Sequence, residues 1–155
     1  MRYLVNVLNV IYAIIKKIRE QVPQSEHYFN LPEDYSPPCF LYRMVFNSDT
    51  RQTKYTKDVK LDLQIIYFGD KDLYGISDYE EKLKVMEQLR RCLSCFFVQV
   101  GDRYLNFEYS FGEADGQLTI NMAFKFKDGL VDTKYDEEQA REMMQKIYIN
   151  KEEIV

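Results

Sequence analysis

The sequence predicts an α+β fold: a mainly antiparallel β-sheet packed against N-terminal and central helices, with a C-terminal helical extension. Three observations predict it. Apolar residues recur at helical spacing before Gln21 and again from Tyr79 to Leu93, strand-like runs come in hairpin-linked groups between and after these, and beyond Gly129 the chain turns charged with a narrow apolar stripe. The expected order is α-ββ-α-βββ-α.

The first helix is expected from about Tyr3 to Gln21. Leu4, Leu8, Ile11, Ile15 and Ile18 fall on one stripe, broadened by Val7 and Ile14, and Pro23 stops it. Ser25 to Pro38 reads as a polar loop that delivers the chain into a strand, Cys39 to Phe46. Asn47 to Lys54 holds no apolar residue and reads as a loop or hairpin tip. Val59, Leu61, Leu63, Ile65 and Tyr67 then alternate with Asp58, Lys60, Asp62 and Gln64, the period-2 pattern of a strand with one wet face. Ser77-Asp78-Tyr79-Glu80 has capping-box form and opens a helix to about Ser94. Gly101-Asp102 separates two strand-like runs, Phe96–Val100 and Arg103–Phe111, as a tight hairpin does. A second turn, Phe111 to Gly116, leads into a strand from Leu118 to Phe126. Asp136 to Tyr148 reads as a charged helix whose stripe is Ala140, Met143, Met144 and Ile147. The expected division is a domain over 1–130 and a charged extension over 131–155.

Composition narrows the function. Of 155 residues, 21 are Lys or Arg and 25 are Asp or Glu, a net charge of −4 that argues against a dedicated nucleic-acid binder. Tyr (13) and Phe (10) are abundant, which suits strand faces and half-dry subunit contacts. The apolar run from Tyr3 to Ile15 is broken by Asn6 and Asn9 and is too short to span a bilayer, so no membrane association is expected. A single histidine, His27, leaves little scope for metal ligation or triad chemistry, and its Pro-flanked loop suggests a surface position. Cys92 and Cys95 form a C-x-x-C pattern at a helix C-terminus, where the dipole disfavours a thiolate. Together with Cys39 they read as buried structural thiols in a reducing compartment. Asp70/Asp72 and Glu113/Asp115 fall short of a calcium loop. Phosphate-cradling and nucleophile-elbow motifs do not occur. No catalytic residue, metal or cofactor is expected, and the chain reads as a non-enzyme.

Three segments carry a family resemblance: Ser36-Pro37-Pro38-Cys39-Phe40-Leu41, Leu63-Gln64-Ile65-Ile66-Tyr67-Phe68, and Asp102-Arg103-Tyr104-Leu105-Asn106-Phe107-Glu108-Tyr109-Ser110-Phe111. In order and spacing they resemble the tail-terminator (tail-completion) proteins of phages and prophages of Gram-positive bacteria, over about residues 4 to 128. The charged segment after Gly129 is longer than that family leads one to expect. The resemblance implies a structural virion protein of the tail, assembled in the bacterial host cytoplasm. It implies a homo-hexameric ring that caps the tail tube, of a phage or a phage-tail-like particle, and ends tube polymerisation. Its partners would be other copies of itself, the tail tube protein, and head-completion, connector or sheath proteins, with DNA only passing through the lumen. Alternatives are another head–tail connector (adaptor or stopper), a baseplate-associated tail protein, or a small thiol-based redox protein. Candidate partner contacts are Asp49, Arg51, Gln52 and Lys54 in a projecting arm, and Met143, Met144, Ile147 and Tyr148 in the C-terminal segment.

Overall fold

The computed structural model describes residues 5–69 and 78–129. Helix α1 (Val7–Gln21) starts where the Asn6 side chain accepts the Leu8 N–H at 2.8 Å, satisfying one of the donors a helix start leaves open. It buries Val10, Ile11, Ile14, Ile15 and Ile18. Leu8, expected on that stripe, is instead exposed, because the contact face turns toward Val10 and Ile14. Helix α2 (Tyr79–Leu93) is capped by Asp78, whose carboxylate accepts from the Glu80 and Glu81 N–H groups. The cap is thus one residue later than the sequence pattern suggested. Val85, Leu89, Cys92 and Leu93 form its buried face.

Six strands make one sheet: β1 (Glu26–Tyr28), β2 (Cys39–Arg51), β3 (Thr56–Phe68), β4 (Phe97–Val100), β5 (Arg103–Ala114) and β6 (Gln117–Gly129). Their order across the sheet is β1-β2-β3-β6-β5-β4. Only β1 is parallel to its neighbour. The β5–β6 connection is the two-residue turn Asp115-Gly116, both at positive φ (52° and 77°), as a type I′ hairpin requires. The inward rows of β2, β3, β5 and β6 merge with both helices into one apolar core, in which Tyr67, Phe40 and Phe124 are the largest fully buried side chains. The opposite face is polar, carrying Asp62, Gln64, Asn121 and Ser110.

The α+β expectation is corrected by this architecture. Strands take 50% of the described chain and helices 26%, so the molecule is a mostly-β, curled six-stranded sheet carrying two helices. The expected C-terminal helical extension lies outside the described residues. Two local expectations also change. Part of the presumed loop after Pro23 is strand β1, formed because Glu26 to Tyr28 pair with Cys39 to Leu41. The polar stretch after Phe46 is a hairpin with a shorter tip than expected and not a loop, since Asn47 to Arg51 continue the β2–β3 ladder against Lys57 to Leu61.

Candidate assembly interface

The distal half of β2 and β3 forms a two-stranded arm whose connection is only Gln52 to Tyr55. The tip is internally organised. The N–H groups of Gln52 and Thr53 donate to the Thr56 carbonyl at 3.0 and 3.1 Å, and the Thr53 hydroxyl accepts from the Tyr55 and Thr56 N–H groups. Of the predicted contact residues, Asp49 pairs with Lys57 at 3.0 Å, and the Arg51 Nε–H donates to the Thr53 carbonyl. Lys54 lies over the Tyr55 ring at 5.5 Å. The structure brings Asp49, Arg51, Gln52 and Lys54 together on one arm, while Met143, Met144, Ile147 and Tyr148 lie outside the described residues.

At the root of the arm the β2–β3 register shifts between Met44 and Phe46, leaving Val45 as the extra residue of a β-bulge. Met44, Val45 and Phe46 are 53%, 62% and 48% exposed, an apolar triplet facing solvent on a strand edge. Sequence reasoning assigned these residues to the strand Cys39 to Phe46, because β-favouring composition alone does not reveal a bulge. Val45 also borders a groove of about 380 Å³ on the polar face, lined by Asp62, Glu108, Ser110 and Asn121.

The groups that first suggested chemistry are otherwise engaged. His27 is half-buried rather than on the surface. Its Nδ1 is 2.8 Å from the Tyr42 hydroxyl, its Nε2 is 3.3 Å from the Ser25 hydroxyl, and its ring stacks on Phe40 at 5.4 Å between centroids. Burial, aided by the Arg19 charge, lowers its pKa to about 4, so the imidazole is neutral near pH 7. Burial pushes the Cys39 and Cys92 thiols up to about 11. Cys95, expected to be buried, is exposed. Partial burial is the largest single influence on its thiol and raises the pKa, but the Phe97 backbone and the Lys17 ammonium together outweigh it and hold the value below the ordinary one. No group of acidic, His and Cys side chains among the described residues is arranged to hold a metal ion.

A cluster that the sequence did not announce ties the sheet to α1. Asp128 is 5% exposed and accepts three hydrogen bonds, one from each of three partners. The Arg103 guanidinium donates to Oδ1 at 2.9 Å, the Gly129 N–H to the same oxygen, and the Val5 N–H to Oδ2. In Lys127-Asp128-Gly129 the aspartate reads as an ordinary turn residue, which hid it.

The phage tail terminator protein family matches residues 9–140. The chain belongs to the phage tail terminator family. The tail terminator is therefore a structural bacteriophage protein, a component of the virion tail that works among other tail and virion proteins. Its family is structural rather than enzymatic. No curated protein matches the chain. Among the described residues no helix is long and apolar enough to cross a membrane.

Proposed function

We propose that the protein forms a sixfold ring that caps the tail tube, ends tube polymerisation and offers a surface to head-completion or connector proteins. Membership of the tail terminator family is the observation that carries this reading. The exposed arm and the apolar bulge at its root support it, because a lone subunit has no use for either. Asp49, Arg51, Gln52 and Lys54 contact the tube or a neighbouring subunit as rim groups, each small in energy. Met143, Met144, Ile147 and Tyr148 supply a second contact, suited to it because methionine adapts to an imperfect groove. With a net charge of −4 per subunit the ring repels DNA passing through its lumen. Deleting the gene tests the reading. Electron microscopy of the resulting particles is expected to show tubes of irregular and excessive length, and normal-length tails would overturn termination.

A further inference from the structure

The sheet has two open edges. Strand β1 covers β2 only from Cys39 to Leu41, so from Tyr42 to Arg51 the outer side of β2 has no ladder partner among the described residues. At the other side β4 pairs with β5 only from Arg103 to Asn106. Beyond one bond from the Phe107 N–H to the Phe96 carbonyl, β5 is likewise open from Glu108 to Ala114. Open edges are ordinarily blunted by charge or by a bulge that turns the strand away. Here the bulge itself carries Met44, Val45 and Phe46, which invites a partner.

We propose that subunits join edge to edge, Tyr42 to Phe46 of β2 in one copy adding as a strand to Glu108 to Phe111 of β5 in the next. This rests on the ring reading above and supplies its interface. Strand direction permits it. Pairing is antiparallel from β2 through β3 and β6 to β5, so β2 and β5 run in opposite directions and the next copy's β2 continues the antiparallel pattern. Side-chain rows agree as well. Arg43, Gln64, Asn121 and Ser110 share one row on the polar face, with Glu108 one step along β5. An unstaggered continuation sets Arg43 of the next copy opposite Ser110 and diagonal to Glu108, within reach of a long side chain. Both Arg43 and Glu108 are exposed, and neither forms an ion pair among the described residues. On the other face the row Met44, Leu63, Met122, Tyr109 sets Met44 beside a Tyr109 ring, a favourable thioether–aromatic contact. Because the two edges differ, the interface is heterologous, the kind from which rings are built when the rotation between copies closes, and not a two-fold dimer contact.

Hydrogen exchange on the full chain, free and bound to purified tails, tests this together with Arg43→Glu, Glu108→Arg and the double variant. The amides of residues 42–46 and 108–111, the parts of the two open edges that face each other in this register, are expected to gain protection in the ring and not in the monomer. Each single charge reversal is expected to reduce tail-end occupancy by about tenfold or more, and the double variant to restore it. Bound rings whose β2 and β5 amides exchange as in the free subunit overturn the edge pairing, as does a double variant no better than the singles. Protection of the β2 edge already present in the free monomer overturns it too, by showing that the chain's own residues cover that edge. Tail ends that carry no ring at all refute the parent reading instead.

Discussion

Asp128 shows how one side chain sets the position of a whole helix. Its two oxygens join the N–H of Val5, just ahead of α1, to Arg103 at the start of β5 and to the end of β6. Asp128→Ala leaves the Arg103 guanidinium, which also lies 5.7 Å from the Phe126 ring, without its counter-ion. The expected cost is about 3 kcal/mol in chemical denaturation, the scale for breaking a mostly buried pair. His27 makes a pH-dependent contribution with the opposite charge logic. Its folded pKa of about 4 lies below the ordinary histidine value of 6.5, so between those values the unfolded chain binds the extra proton. The stability it contributes is complete above pH 6.5 and lost as pH falls toward 4. His27→Gln is expected to melt less steeply with acid across that window than the parent protein, although lower at pH 7, and parallel melting curves would refute the assignment. Cysteine reactivity divides the same way. Iodoacetamide at neutral pH is expected to label Cys95 and spare Cys39 and Cys92, because only Cys95 is both exposed and lowered in pKa. Peptide mass mapping reads this directly. The burial of Cys39 and Cys92 was legible in the sequence. The environments of Asp128, His27 and Cys95 were not, since each depends on residues far apart in the chain, such as Lys17 beside Cys95 and Tyr42 beside His27.

Elements whose pattern repeats with a fixed period were legible, and those made by pairing were not. Strand β3 declares itself because Val59, Leu61, Leu63, Ile65 and Tyr67 all face the core. Strand β1 does not, because three residues of no alternation become a strand only when Cys39 to Leu41 lie alongside. The strand character of the arm was hidden for a related reason. Asn47 to Arg51 bury nothing, and what holds them extended is the ladder to β3, with local help from the Asn47 amide donating to the Lys60 carbonyl at 3.0 Å. The insertion of β6 between β3 and β5 follows from long-range register and has no local signature. A consequence for the arm can be measured. Replacing Gln52 to Tyr55 by Asn-Gly keeps a turn that matches the strand twist, so the melting temperature is expected to stay within about 3 °C of the parent, as surface changes do. Attachment to tails is expected to fail, since the tip that carries Gln52 and Lys54 is gone. Full attachment of this variant would remove the arm from the interface.

The whole molecule carries its two unlike open edges at opposite sides of one sheet, and this dictates how assembly depends on concentration. Two copies joined β2 to β5 still expose one open β2 and one open β5, so a dimer gains a single contact for the full loss of one body's translational freedom. The last contact that closes a ring forms without any further loss of that kind, because both edges already belong to one particle. Closed rings are therefore favoured over every partial arc, and sedimentation over a range of concentrations is expected to resolve monomer and one closed species with almost nothing between. Phe46→Lys should shift that balance strongly to monomer. The side chain is 48% exposed on the bulge, so the subunit itself is expected to lose no more than about 0.5 kcal/mol of stability. Each ring repeats the substitution at every interface, which multiplies a small local penalty into a large collective one. A stable dimer that persists across all concentrations would indicate a self-complementary patch instead, with one surface serving both partners.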